Sequence, residues 1–272
     1  MNMPTITDQE FAQFQRFIFD AAGITLSSSK KALVSGRLSK RLQHCHLDSY
    51  SSYFKLLMNG QSGDEVQTAV DLLTTNETYF FREAKHFDFL REQALLAAKR
   101  AQPLRIWSAA SSTGEEAYSM AMVLADCMET TAWEVVGSDI NASVLQGAAA
   151  GHYSLERARN ISPAYLRRFC LKGHGPHQGT LLIDRSLRSK VRFTQVNLNA
   201  ALPNLGTFDL IFLRNVMIYF NDDTKRQVVA RVLSLLKPGG YFCVGHSESL
   251  NGITTAVQSI GPSIYRKPDA QS

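Results

Sequence analysis

The sequence predicts an α/β protein: a mostly parallel, doubly wound sheet, preceded by an all-helical domain and carrying a small antiparallel insertion. Three observations predict it. In roughly the first 75 positions apolar residues recur at helical spacing with no strand alternation. From about residue 104, short runs rich in Val, Ile and Phe alternate with helical stretches, as in a sheet covered on both faces. Residues 170–193 break that rhythm with short apolar runs around Gly173, Gly175, Pro176 and Gly179, the pattern of small hairpins. A chain of 272 residues has room for two domains. We place them at 1–75 and 76–272, with a linker over 76–103 and the insertion at about 170–193.

The elements follow in order. Thr7 is a candidate N-cap, with Glu10 three residues on as in a capping box. Phe11, Phe14, Ile18 and Ala22 then mark one helix face, and Gly23 suits its C-terminal cap. Residues 30–46 carry a second stripe of Val34, Leu38 and Leu42, with Arg37, Lys40, Arg41 and His44 off it; residues 49–60 and 63–74 supply two more helices. Strands are predicted at 104–109, 133–140, 191–196, 208–213 and 241–245, with an edge strand at 263–266. Helices are predicted at 115–128 and 221–236, the latter capped by Asn221 and stopped by Pro238-Gly239-Gly240.

Composition narrows the function classes. Hydrophobic residues are 44% and charged residues 19%, so the chain can bury a core. Mean hydropathy is −0.14 and no 18-residue apolar run occurs, so no membrane insertion is expected. Residues 1–10 lack the basic head and apolar stretch of a leader, so a cytoplasmic location is expected. The net charge of +5 is too mild to argue for nucleic acid as a partner. It is unevenly spread: residues 30–46 carry +5, residues 157–192 carry +8, and the rest carries −8. Each island is either a solvated face or a surface for an anionic partner. The four cysteines show no Cys-x-x-Cys spacing. His174 and His177 lie close together in a Gly-rich loop with no Cys or carboxylate at ligand spacing, and no metal is expected.

A doubly wound sheet binds ligands beyond the carboxyl ends of its strands. The first strand opens into Ala109-Ala110-Ser111-Ser112-Thr113-Gly114-Glu115-Glu116. Small residues let a ligand approach the backbone, but the single glycine is no dinucleotide fingerprint, and two glutamates would repel a pyrophosphate. Taken alone the loop is either a ligand cradle or a strand-to-helix turn with acids at a helix N-terminus. Asp139 ends the second strand, where an acid either accepts from ribose hydroxyls or caps the next helix. Loop and acid together point to a nucleoside without phosphate. S-adenosylmethionine fits, because its sulfonium suits a negative site.

Longer motifs carry a resemblance. Residues 76–83 (Asn-Glu-Thr-Tyr-Phe-Phe-Arg-Glu), 107–116 (Trp-Ser-Ala-Ala-Ser-Ser-Thr-Gly-Glu-Glu), 214–220 (Arg-Asn-Val-Met-Ile-Tyr-Phe), 236–240 (Leu-Lys-Pro-Gly-Gly) and 245–248 (Gly-His-Ser-Glu) resemble, in order, the signatures of the chemotaxis receptor methyltransferases, the CheR family. The resemblance runs over nearly the whole chain. It implies a class I S-adenosylmethionine-dependent methyltransferase fold, Rossmann-like, with a helical receptor-recognition domain over 1–75. The implied reaction is protein-glutamate O-methylation of methyl-accepting chemotaxis receptors, with S-adenosylhomocysteine as product. The Asn/Asp-Pro-Pro-Tyr motif of base-amino methyltransferases is absent after the fourth strand. A non-catalytic adaptor of the same fold is a second class of reading, and the intact motif residues weigh against it; a methyltransferase for nucleic acid or a small molecule is a third, and the missing motif weighs against its base-amino kind.

Carried over residue by residue, the resemblance implies cofactor roles for Asn76, Thr78, Arg82, Glu116, Asp139, Asn197, Leu198, Arg214 and Asn215. Arg82 has the fork to clamp the methionyl carboxylate. Glu116 can accept from the methionyl ammonium, Asp139 from the ribose, and Asn197 and Leu198 lie where adenine would be read. A glutamate carboxylate is already ionised near neutral pH, so catalysis is expected to rest on positioning, which can supply up to ~7–11 kcal/mol. Tyr219 is either the residue that orients that carboxylate or a buried aromatic. The helix with Arg37, Lys40 and Arg41 resembles the family's receptor-facing helix. The insertion resembles a β-subdomain that in some members binds a C-terminal receptor pentapeptide, with Lys172, Gly173, Gly175 and Arg188 as contacts. A monomer recruited to membrane receptor arrays is expected.

Overall fold

The computed structural model describes residues 5–59 and 63–270. Residues 1–4, 60–62 and 271–272 lie outside, including the head of the segment read above as no leader and the last residue of the helix expected at 49–60. The helical region contains α1 (Asp8–Ala22), α2 (Lys31–His44), α3 (Tyr50–Met58) and α4 (Gly63–Leu73). The capping box forms as predicted: Thr7 Oγ1 accepts from the Glu10 N–H at 3.2 Å, and Glu10 Oε2 accepts from the Thr7 N–H at 2.9 Å. Such caps contribute about 1 kcal/mol. Glu10 does more, because its Oε1 accepts from the Ser51 N–H at 2.9 Å and docks the start of α3. Gly23 ends α1 at φ 72°, a conformation glycine adopts without strain.

The second half contains α5 (Lys85–Lys99), β1 (Leu104–Ser108), α6 (Glu115–Cys127), β2 (Trp133–Asp139), α7 (Ala142–Ala150), β3 (His152–Ser154), α8 (Pro163–Phe169), β4 (Cys170–Lys172), β5 (Thr180–Ile183), α9 (Arg185–Arg188), β6 (Val191–Gln195), β7 (Phe208–Leu213), α10 (Asp222–Ser234), β8 (Leu236–Val244), β9 (Gln258–Gly261) and β10 (Ile264–Arg266). The main sheet runs β6-β2-β1-β7-β8-β10-β9. Its first five strands are parallel, and β10 and β9 add antiparallel. The order reverses between β1 and β7, the switch point at which such sheets bind ligands. Among the described residues no helix is long and apolar enough to cross a membrane.

The insertion begins earlier than the 170–193 read from sequence. Its sheet is β3-β5-β4, antiparallel, so it takes in His152, while Val191–Gln195 is the edge of the main sheet. Strand β3 escaped the sequence reading because only Tyr153 of its three residues is buried, too little for alternation to show. Pro238-Gly239-Gly240, read as a helix stop, lies inside β8, where the pairing with β7 shifts register.

Two cores cover the two faces of the main sheet. One is continuous from the helical region (Phe14, Leu38, Tyr53) to Trp107, Ile211 and Phe242 and on to α10. The other joins α5, α6 and the small sheet to Ile106, Val135 and Phe212. Polar contacts reinforce the first. Asp71 of α4 accepts from the N–H groups of Ala142 and Ser143 at 3.1 Å each, an acid at a helix N-terminus. Ile24 pairs with Phe220 as an antiparallel bridge, and the Thr25 N–H donates to the Tyr219 carbonyl at 2.8 Å. The helical region thus forms one wall of whatever sits at the strand ends.

Candidate functional site

At the switch point lies a cleft of about 820 Å³, counting its open mouth. All nine residues expected to hold the cofactor line it, as does Tyr219. The loop after β1 turns into α6 through Gly114 at φ 94°, where a side chain would meet Ala148 Cβ at 2.8 Å and the Tyr153 hydroxyl at 2.9 Å. That turn delivers Glu116 to the cleft. One Glu116 oxygen accepts from Ser108 Oγ and the other from Arg214 Nη1, both at 2.7 Å.

Arg214 is the centre of a buried charge cluster. Its Nη2 donates to Glu83 Oε2 at 2.9 Å and to the Arg82 carbonyl. Its Nε is buried and, among the described residues, has no hydrogen-bond partner. Burial pushes the Glu83 carboxyl up, but Arg214, Asn215 and the His246 N–H outweigh it and bring it to about 2. Burial also raises the Glu116 carboxyl; Arg214 and Ser108 pull it back only in part, so it stays above its ordinary value. One guanidinium against two carboxylates leaves the cluster net negative when both are ionised. A cationic ligand group would cancel that charge.

Asp139 is buried at the end of β2. Its Oδ2 accepts from the Ser112 N–H at 2.9 Å and its Oδ1 from the Asn141 N–H at 3.0 Å. Burial raises its carboxyl more than these bonds lower it. The two sequence readings of Asp139 separate here, because the cap of α7 is Asn141, whose side chain accepts from the Val144 N–H at 3.0 Å. Asn215 stands at φ 57° and is pinned by Glu248, which accepts from the N–H groups of Asn215 at 2.8 Å and Gly245 at 2.7 Å. The Gly245-His246-Ser247-Glu248 motif therefore ties the ends of β7 and β8 together. Asn197 donates to the Ala21 carbonyl at 2.7 Å, and Asn76 offers its carbonyl to Ser112 Oγ at 2.8 Å. Arg82 Nη1 donates to the Glu77 carbonyl at 2.9 Å. Among the described residues the Tyr219 hydroxyl has no protein hydrogen bond, so it can serve a ligand.

Sequence reasoning missed three things. Ala22, Ile24, Thr74 and Thr75 of the helical region also line the cleft. Glu83 organises Arg214, Asn215 and His246, although nothing local distinguishes it from Glu77. And no spacing in the sequence joins His246 to Glu83 and His86. The fold instead brings Glu83, His86 and His246 together, with ligand-capable atoms within 4.8 Å of one another. Arg214 already occupies one Glu83 oxygen there. Buried His86 is pushed down to about 4, by burial first and then by Arg214 and His246.

The residues expected to meet a receptor lie elsewhere. On α2, Lys40 is exposed, but Arg41 is paired with Glu65 through Nε at 2.7 Å and through Nη2, and Arg37 donates to the Thr74 carbonyl at 2.7 Å. Lying off the apolar stripe therefore did not free these two guanidinium groups. In the insertion, Lys172 and Gly173 line a second, shallower cleft with His152, Leu171 and His177. A side chain at Gly173 would come within 2.0 Å of the His177 carbonyl, so the hairpin itself requires glycine. Gly175 (φ 56°) and Arg188 are not in that lining, and Arg188 Nε is turned to the Ile183 carbonyl at 3.0 Å.

Comparison with known proteins agrees with this architecture. Residues 9–74 match the family model described as "CheR methyltransferase, all-alpha domain", and residues 76–265 match "CheR methyltransferase, SAM binding domain". The chain is 40% identical over 263 residues to the chemotaxis protein methyltransferase of Escherichia coli K12, covering 96% of this chain and 91% of that one. It is 41% identical over 262 residues to chemotaxis protein methyltransferase 2 of Pseudomonas aeruginosa, covering 95% and 93%. The corresponding figures for chemotaxis protein methyltransferase 2 of Vibrio cholerae are 39% over 264 residues, 94% and 90%. With an all-helical domain before a sheet that holds a cleft at its switch point, and with relatives matched almost end to end, the chain belongs to the CheR methyltransferase family.

Proposed function

We propose that this chain methylates glutamate side chains of methyl-accepting chemotaxis receptors with S-adenosylmethionine as donor. The observation that carries the reading is the Arg214–Glu83–Glu116 cluster, one guanidinium against two carboxylates, opening into the cleft at the switch point. An orphaned Arg214 Nε and a carboxylate not fully neutralised fit the amino-acid end of that donor, and Asp139 fits its ribose. Arg82 takes the methionyl carboxylate, Glu116 the ammonium, and Asn197 and Leu198 the adenine. Asn76, Thr78, Arg214 and Asn215 complete the wall. When bound, S-adenosylmethionine supplies a methyl group to a carboxylate oxygen and leaves as S-adenosylhomocysteine.

The chain's own part is orientation. The incoming glutamate is already a nucleophile, so no general base is needed. The Tyr219 hydroxyl donates one neutral hydrogen bond to that carboxylate, which aims it without neutralising it as an arginine would. The receptor helix lies across α2, where Lys40 presents the free cation and Arg37 and Arg41 add charge from behind. A receptor C-terminal pentapeptide uses the second cleft, with Lys172 at its rim. The protein works as a monomer recruited to receptor arrays.

The test is transfer of labelled methyl into receptor-containing membranes. Label released as methanol by base is the expected result, since only a carboxyl ester gives it. Binding of S-adenosylhomocysteine with no label in receptor would instead make the protein an adaptor.

A further inference from the structure

We infer that Arg37 and Arg157, both outside the cleft, are positioning residues for it: together they hold the strap of residues 74–82 that forms one cleft wall. The inference rests on reading the cleft as the S-adenosylmethionine site. Thr74, Thr75, Asn76, Glu77, Thr78 and Arg82 all line that cleft. Yet among the described residues no backbone-to-backbone hydrogen bond anchors any residue from 75 to 82. A segment without a ladder is ordered by whatever side chains reach it.

Those side chains are few. Ser112 Oγ donates to the Asn76 carbonyl at 2.8 Å, and Ser119 Oγ accepts from the Phe81 N–H at 3.0 Å. Arg214 holds the Arg82 carbonyl, and Arg82 folds back on the Glu77 carbonyl. The remaining grips come from beyond the cleft: Asn141 Nδ2 donates to Thr74 Oγ1 at 2.9 Å, and two arginines reach the rest. Arg37 on α2 sends Nη1 to the carbonyls of Leu73 at 3.3 Å and Thr74 at 2.7 Å, and Nη2 to Thr75 Oγ1 at 3.5 Å. These are the C-terminus of α4 and the first step of the strap, where carbonyls carry partial negative charge that a guanidinium complements. Arg157, just after β3, sends Nη2 to the Thr78 carbonyl at 3.3 Å and to Thr113 Oγ1 at 2.9 Å. Its Nε donates to Glu115 at 2.6 Å, and Glu115 is fully buried, so the arginine is fixed by a charge that needs it.

The two grips come from different accessory elements. One arginine belongs to the helix proposed to face the receptor, and the other to the inserted subdomain. The strap they share is the wall of the donor site. With either grip lost, the strap must be ordered when the ligand binds, and that ordering lowers affinity without touching the reacting groups.

The experiment is calorimetric titration of S-adenosylhomocysteine into Arg37→Ala, Arg37→Lys and Arg157→Lys, with steady-state kinetics on receptor membranes. Arg157→Lys keeps a cation for Glu115 but loses the branch to Thr78. We expect Arg37→Ala and Arg157→Lys each to bind about tenfold more weakly, as for loss of a charged hydrogen bond. KM for S-adenosylmethionine rises while kcat at saturating donor stays within about twofold. Arg37→Lys, which keeps one donor, falls between. Lys30→Ala removes the same charge next to α2 without touching the strap and leaves affinity unchanged. Folded Arg37 and Arg157 variants with wild-type affinity overturn the inference, and so does an Arg37 variant that loses receptor methylation alone. If the wild-type protein does not bind S-adenosylhomocysteine, the reading of the cleft fails first.

Discussion

Arg41 in the helical region and Arg214 at the end of β7 are built from the same parts. Arg41 meets a single carboxylate, Glu65, which also accepts from the Tyr53 hydroxyl at 2.6 Å. The Arg41 hydrogen bond, set against burial, holds the Glu65 carboxyl below its ordinary value. The charges cancel and the cluster is closed. Arg214 meets two carboxylates, leaves its Nε without a partner, and opens into a cleft; one of its carboxylates, Glu116, is raised rather than lowered. The first arrangement joins α2, α3 and α4. The second has one guanidinium facing two carboxylates at the cleft, which suits the cationic ligand group proposed above. A buried ion pair alone says little about function; the uncancelled remainder does.

Four measurements break or sharpen this contrast. Arg214→Ala has the largest expected effect. It strands Glu83 and Glu116 in a buried site, at about 3–5 kcal/mol of stability, and abolishes binding of S-adenosylhomocysteine; urea unfolding and calorimetry read the two losses. Next comes the pair Glu116→Gln and Glu65→Gln. Glu116→Gln keeps the Ser108 contact but removes the surplus charge. Affinity should fall by about 1.5–3 kcal/mol while stability holds or rises. Glu65→Gln should cost about 1–3 kcal/mol of stability and leave affinity within about twofold. If the two variants behave alike, the distinction between closed and open clusters is wrong.

Tyr219→Phe is a smaller effect on a different axis: kcat falls about fivefold, as for loss of one hydrogen bond worth about 1 kcal/mol, and affinity for S-adenosylhomocysteine is kept. Loss of affinity instead would return Tyr219 to a packing role. The last concerns pH. His86 is depressed from its ordinary 6.5 to about 4, so between those values the unfolded chain binds a proton that the folded one refuses. Stability contributed by neutral His86 is complete above about 6.5 and is lost as pH falls toward about 4. His86→Gln should flatten that limb of the stability curve. The lower limb, where Glu83 loses its contribution between the ordinary carboxylate range and about 2 alongside other lowered carboxyls such as Glu65 and Asp126, should survive in that variant.

Much of the fold was legible because its signals are local. The Thr7–Glu10 box, the stripe of Phe11, Phe14 and Ile18, and the main-sheet strands other than β9 came from spacing and turn chemistry. The cleft was legible through a topological rule: ligands gather at strand ends, and Ser108, Asp139, Arg214 and Gly245 lie at or just beyond them. Short or irregular pieces were not legible. Strand β3 has three residues, and the strap carries no periodicity at all. Arg37 and Arg41 show the limit of helical patterning. Position off the apolar stripe says which side chains miss the core, but it does not say that α4 brings Glu65 and the Thr74 carbonyl to meet them.

By itself the sequence determined the elements, their order, the strand ends that matter and the family motifs there, because hydrophobic period and capping act over a few neighbouring residues. Which charges cancel was decided by the tertiary structure. Glu83 meets Arg214 across 131 positions of chain, and Arg37 meets Thr74 across 37. Such partners act on one another only within a few ångströms. Spacing along the chain therefore carries no record of them until the sheet and the helical region have closed on each other.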